Sequence, residues 1–170
     1  MNTPTLYAIR QEIKDHNIKF KEILMIEILE EPVGNTYKQL ISLAFNICDE
    51  FILVKRDQIE LSKNSELLIK ELKPYVTAIR KQNEWPGTQL LGHNADVYYF
   101  DCKPELEQLL TNKAERLYQW MQPELLEDLC FYKNKEEWLI TIAHEIQGFI
   151  KTTDRQEILR IREIEGIMIY

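Results

Sequence analysis

Apolar positions along this chain alternate between two periods. Over residues 36–48 they fall at Leu40, Ile41, Leu43, Ala44 and Ile47, the spacing of a helix buried on one face. Residues 64–73 repeat it with Leu67, Leu68 and Leu72, and Pro74 stands just past the end. Residues 4–15 read as a short helix, with Thr3 as cap and Pro4 at its first position. Pro104 opens a helix to Leu110, and residues 113–121 make another. Short runs rich in β-branched and aromatic residues, 51–54, 75–79 and 97–100, read as strands. Residues 129–132 and 138–142 flank 133–137 as a hairpin. Residues 20–30 fit both periods, and their isoleucines favour a strand. Turn signals sit at 32–35 and 83–88, and 122–128 reads as a loop. Thr153 and Gln156 resemble a capping box for a last helix running to about residue 165.

Strands and helices mix without a regular βαβ rhythm. The expected fold is α+β, a mainly antiparallel sheet packed with several helices. The 170 residues suit a single α+β domain spanning 1–170. A chain of this size buries roughly 70% of its unfolded surface and needs no metal or disulfide to fold. Five glycines and six prolines argue against linkers, and no internal repeat is present.

Charge narrows the partners. The net charge is −7, and residues 86–170 carry 15 acidic against 9 basic side chains. Residues 1–85 are nearly balanced, with 13 acidic and 12 basic. Such a surface repels phosphate backbones, so no nucleic acid is expected as partner. It attracts a basic protein partner, although moderate negative charge also serves solubility alone. Three widely spaced cysteines, Cys48, Cys102 and Cys130, fit a reducing compartment rather than a disulfide framework or zinc site. No basic, apolar leader follows Met1, and the most apolar stretch, 23–29, is broken by Glu27. The expectation is a cytoplasmic protein with no membrane contact.

Candidate chemistry concentrates between Arg116 and Glu145. His144-Glu145 is not a zincin motif, because position 148 is Gly where a second histidine is needed. The pair is a weak catalytic candidate for acid–base work, set against a histidine that merely satisfies a strand end. Asp49-Glu50 and Glu127-Asp128 offer paired carboxylates, but adjacent acids are ordinarily solvated loop or cap residues. Cys102 and Cys130 sit in apolar runs, where thiols behave as small hydrophobes rather than nucleophiles. Without a glycine-rich phosphate loop, nucleotide hydrolysis is disfavoured. No cofactor and no metal is expected. Trp85, on a Trp-Pro-Gly turn, is either a surface anchor or a lid folded onto the core; Trp120 reads as core.

Several segments carry a resemblance. They are residues 49–56, Glu84-Trp85-Pro86-Gly87-Thr88, Leu117-Tyr118 with Trp120, Glu127-Asp128-Leu129-Cys130-Phe131, and Trp138-Leu139 with Thr141 and Ala143-His144-Glu145. Together they resemble a family of small proteins from Bacillus and relatives that often carry the label stage III sporulation protein AH. The resemblance covers roughly residues 36–145 and brings no catalytic residues. The sporulation protein properly so named needs an N-terminal membrane helix, which this chain is not expected to have, so its channel-building role is not carried over.

The leading expectation is a non-enzymatic binding module, like an immunity protein that neutralises a basic partner. Its expected surface is Trp85 with Glu84, Glu124, Glu127 and Asp128. A second expectation is a hydrolase or transferase using His144 and Glu145 with a carboxylate from Glu127-Asp128. A third is a self-associating structural role in sporulation.

Overall fold

The computed structural model describes residues 23–170. The expected helix over 4–15, its cap Thr3 and the start of the 20–30 segment lie outside the described residues. Nine strands and four α-helices are described: β1 Leu24–Glu27, α1 Asn35–Ile47, β2 Glu50–Arg56, α2 Lys63–Leu72, β3 Val76–Gln82, β4 Glu84–Trp85, β5 Thr88–Gln89, β6 Ala95–Asp101, α3 Pro104–Lys113, β7 Glu127–Lys133, β8 Glu136–Ile142, β9 Gln147–Thr152 and α4 Arg155–Arg162. Seven strands form one sheet in the order β1-β9-β8-β7-β2-β6-β3, and every neighbouring pair is antiparallel. The remaining two, β4 and β5, make a small separate hairpin. The protein is α+β with a mainly antiparallel sheet, as its pattern of periods predicts.

All four helices pack on one face of the sheet. Tyr37, Leu40 and Ile41 of α1, Leu68 and Leu72 of α2, Leu106 and Leu110 of α3, and Ile161 of α4 join one core with Phe51, Leu53, Phe100 and Phe131. Phe51 stacks on Phe100 with centroids 4.9 Å apart, and Phe45 meets Phe131 edge-on at 5.4 Å. The opposite face carries a smaller cluster: Ile52, Val54, Val97, Cys130 and Ile140 under Trp85 and Leu90. Strand β2 therefore lies between two cores, which is why Phe51-Ile52-Leu53-Val54 is an unbroken apolar run rather than an alternating one.

Local chemistry sets the joints. Asn134 and Lys135 at φ 51° and 67° form the two-residue turn between β7 and β8, matching the twist of the strands it joins. Ser62 caps α2 by accepting from the Ser65 N–H at 3.3 Å. The register between β7 and β8 jumps from Phe131↔Leu139 to Tyr132↔Glu137, so Trp138 is an extra residue. That bulge lets Trp138 and Leu139 both enter the larger core.

Four expectations need correction. Residues 113–121 do not continue as a helix. Ala114 and Arg116 are extended, and Gly34 and Leu117 exchange backbone hydrogen bonds with Glu115 and Pro32. Only a 3-10 turn at Leu117–Gln119 remains, so tertiary pairing overrides local propensity there. The last helix is capped by Asp154, not Thr153, with Asp154 Oδ1 accepting from the Gln156 N–H at 2.8 Å, and it ends at Arg162. The 122–128 loop gives way to strand at Glu127. Strand β9 has no counterpart in the expected elements, although Gly148, Ile150 and Thr152 alternate inward along it.

Phe131 stands at the crossing of the aromatic stack. Its truncation, Phe131→Ala, is expected to cost about 3–5 kcal/mol in a urea melt, the cost rising with the size of the cavity that its ring neighbours fail to fill.

Candidate functional site

The densest polar cluster lies where β2 ends, β7 begins and the chain leaves β8. The register between β2 and β7 moves two residues on β2, Ile52 to Val54, against three on β7, Cys130 to Glu127. Asp128, at φ 53°, sits in this bulge. The extra residue breaks strand alternation, so the adjacent carboxylates of Glu127 and Asp128 are both buried, at 2% and 0% exposure.

The two acids then meet different partners. Asp128 Oδ2 accepts from Trp85 Nε1 at 2.8 Å and Thr88 Oγ1 at 3.4 Å, and its Oδ1 accepts from the Ala143 N–H at 2.9 Å. Glu127 Oε2 lies 2.6 Å from Arg56 Nε. Neither atom has an aligned hydrogen bond, so this contact is an ion pair. Arg56 also lies over the Trp85 ring, 5.5 Å from its centroid. Its backbone is clasped by the buried Gln122 side chain, which accepts from the Arg56 N–H at 2.6 Å and donates to the Arg56 and Ile59 carbonyls.

His144 closes the cluster from the surface. Arg56 Nη2 is 3.3 Å from His144 Nδ1. A guanidinium only donates, so Nδ1 accepts and the ring proton resides on Nε2. That Nε2 is 3.7 Å from Glu145 Oε1. Donor atoms of Glu127, Asp128 and His144 lie within 4.8 Å of one another, a spacing able to hold a metal ion. The Arg56 guanidinium already touches two of these residues, and both Asp128 oxygens are committed to protein donors. Arg56 is the resident cation of the group.

Burial pushes the Glu127 carboxyl up to about 7, with the Asp128 charge adding to the rise and Arg56 opposing it. Burial also raises Asp128, against the hydrogen bonds from Ala143 and Trp85. The three thiols are raised by burial too, Cys102 to about 12, so none is poised as a nucleophile.

The expected site residues therefore divide. Trp85 is a lid, 6% exposed, and its indole N–H is spent on Asp128. Glu127 and Asp128 are interior, so the expected role of these two acids as surface contacts for a partner is corrected: the β7 bulge turns both inward. Glu84, Glu124, His144 and Glu145 are exposed. The structure brings Trp85, Glu127, Asp128 and His144 into one group and leaves Asp49 and Glu50 at the far end of β2. Sequence reasoning missed Arg56 and Gln122. Arg56 had one signal, a cation directly extending the buried run of β2.

Two hollows lie on the structure away from the buried acids. One, of about 520 Å³, is walled by the hairpin turn from Trp85 to Thr88, by Gln82 and Glu84, and by Glu137 from β8. Gly87 forms its turn at φ 78°, and a Cβ there would meet Ile142 Cγ1 at 2.7 Å, so the turn is seated directly on the sheet. The other, of about 730 Å³, opens beside the β7–β8 turn and contains Trp138, Glu157, Lys133 and Lys151. Its Glu157 is bonded by Lys133, Thr152 and Trp138. Burial alone would raise that carboxyl, but the three donors together hold it below its ordinary range.

Among the described residues no helix is long and apolar enough to cross a membrane. Comparison with protein-family models, curated proteins and solved structures finds no match to this chain.

The raised Glu127 carboxyl carries a pH signature. Between its ordinary 4.5 and about 7 the folded protein binds a proton that the unfolded chain has released. Stability from this group is complete below the lower value and falls as pH rises through the window, by about 3 kcal/mol at most. Urea melts from pH 4.5 to 7.5 are expected to show this slope, and Glu127→Gln to flatten it relative to the parent.

Proposed function

We propose that this protein is a non-enzymatic binding module that docks a basic protein partner on the outer side of the Trp85 hairpin, in the manner of an immunity protein, in the cytoplasm. The observation that carries the reading is the lining of the smaller hollow, which includes Glu84 and Glu137 and, among the described residues, no lysine or arginine. Glu84 is exposed and has no ion pair among the described residues. Glu137 is held on one oxygen by Lys151. The net charge of −7 adds long-range attraction for a cationic partner. The hairpin is pinned by Trp85, Thr88 and Gly87, so binding to it costs little ordering. The buried acids then serve to position this surface rather than to touch the partner.

One observation favours a second reading, acid–base catalysis: His144 converges with Glu127 and Asp128. Against it, Arg56 holds the inward nitrogen of His144, and both hollows described above open elsewhere. Under that reading His144→Ala would abolish an activity while leaving stability intact. Under the binding reading it leaves partner capture unchanged.

Charge reversal separates the two. Glu84→Lys combined with Glu137→Lys is expected to weaken capture of a basic partner from the native host by about 10-fold or more, and to flatten its salt dependence. The variant should keep its melting temperature within a few degrees, because Glu84 is exposed and Glu137 half-buried. Unchanged capture with unchanged salt dependence would sink the proposal.

A further inference from the structure

We infer that Glu127, Asp128 and His144 form a binding site for one divalent transition-metal ion of the zinc type, whose place the Arg56 guanidinium holds until the ion displaces it. The site is the buried group beneath the Trp85 hairpin. It is separate from the hollow proposed to meet a partner and stands or falls independently of it.

The donor set has suitable chemistry and spacing. A carboxylate oxygen from Glu127, another from Asp128 and a ring nitrogen of His144 all lie within 4.8 Å of one another. Two carboxylates with an imidazole suit zinc and its neighbours, at bond lengths of about 2.0–2.2 Å. Ligand atoms around one such ion stand no more than about 4.4 Å apart, so the group has to contract slightly. His144 supplies that movement. Its side chain is 39% exposed and sits on the short turn Ala143–Glu145, while the β7 bulge fixes the two acids. Asp128 has capacity to spare, since its Oδ1 takes a single donor, the Ala143 N–H, and keeps a second lone pair.

The imidazole is already turned as a ligand would be. Its Nδ1 faces inward, 3.3 Å from Arg56 Nη2, and its Nε2 is 3.7 Å from Glu145 Oε1. Metal-bound histidines ordinarily direct their outer ring nitrogen to a carboxylate or carbonyl, which fixes the tautomer and strengthens the inner nitrogen as a ligand. Trp85, Thr88 and Ala143 orient Asp128 in the same sense.

The misfit of Arg56 points to an ion rather than a permanent guanidinium. Glu127 Oε2 and Arg56 Nε are both buried and 2.6 Å apart, yet neither has a hydrogen bond among the described residues. Glu127 is only 2% exposed, so bulk solvent does not complete that oxygen. A guanidinium stabilises a carboxylate through aligned N–H bonds, and that alignment is missing. A metal ion has no donor hydrogen to align. It also brings two charges to two buried carboxylates, where the guanidinium brings one. Arg56 ends β2, and the exposed Glu145 beside His144 is an alternative partner for its side chain.

The test titrates the full chain with zinc chloride by calorimetry at pH 7, with melting curves recorded in the presence and absence of the ion. One ion per chain is expected to bind and to raise the melting temperature. His144→Ala should weaken binding by about 10-fold or more and leave the zinc-free melting temperature unchanged. Arg56→Gln should melt earlier without zinc, because it strands two buried carboxylates. Zinc should reverse that loss and bind this variant about 10-fold tighter than the parent, its competitor being gone. No zinc binding by the parent would overturn the site even if Arg56→Gln binds, since Arg56 would then be its permanent cation. Binding that His144→Ala leaves unchanged would overturn the location and assign the ion to the cysteines or the other histidines. Binding to Arg56→Gln no tighter than to the parent would overturn the displacement. If Arg56→Gln folds in neither condition, the parent and His144→Ala decide.

Discussion

The Asp128 carboxylate is the point through which the outer face of the sheet is assembled. It is fully buried, and its two oxygens take donors from Trp85 and Thr88 on the hairpin and from Ala143 after β8. A hairpin of two two-residue strands has no independent stability in water. Here it gains a fixed position because its indole nitrogen meets a buried anion and its glycine turn seats on Ile142. Without that anion the Trp85 and Ala143 N–H groups would be left buried and unpartnered, each at a desolvation cost of about 1–3 kcal/mol. The smaller core beneath Trp85 depends on the same bond, since Ile52, Val54, Val97 and Cys130 would otherwise face water.

A buried anion needs electrostatic company, and the bulge in β7 supplies both the need and the answer. Placing Glu127 beside Asp128 in the interior doubles the negative charge. Arg56 offsets it from the adjacent strand, in contact with Glu127 and within reach of His144. Buried ion pairs of this kind add little net stability, because desolvation consumes most of the attraction. What the group supplies instead is geometry: β2, β7, the hairpin and the turn at Ala143–Glu145 are each tied to the next by a directional or charged contact. The proton that Glu127 retains near neutrality reflects chiefly its burial, with the neighbouring Asp128 charge adding to a rise that Arg56 only partly offsets.

Much of the fold was legible from periodicity. The helix of α1 and the strands β2, β6, β7 and β8 announce themselves through spacing that burial enforces. The site was legible only in composition. Glu127-Asp128 reads as a solvated pair because adjacent acids are ordinarily loop or cap residues, and nothing local signals that Asp128 adopts a left-handed backbone in a strand bulge that buries both. Trp85 is ambiguous for the same reason: whether its indole turns in or out depends on an acid 43 positions later. Strand β9 escapes because its Gly148 is silent in hydrophobic patterning, although a Cβ there would stand 2.9 Å from the Tyr118 hydroxyl and displace it. Residues 113–121 mislead in the opposite sense, since their helical propensity yields to pairing with Pro32 and Gly34.

The separation of roles along the hairpin carries the functional argument. Its inward side is consumed by structure: Trp85 on Asp128, Arg56 on Trp85, Gly87 on Ile142. Its outward side leaves Glu84 without an ion pair among the described residues, in a hollow also lined by Glu137 and, among those residues, by no lysine or arginine. A catalytic centre would ask the reverse, with perturbed carboxylates open to substrate and His144 free to exchange protons on both nitrogens. Here the perturbed carboxylates are sealed under the tryptophan, and the inward nitrogen of His144 is occupied by Arg56. Under the proposed binding reading, a rigid element that spends its buried charges on its own position and presents the remaining ones to solvent is the part that would hold a partner.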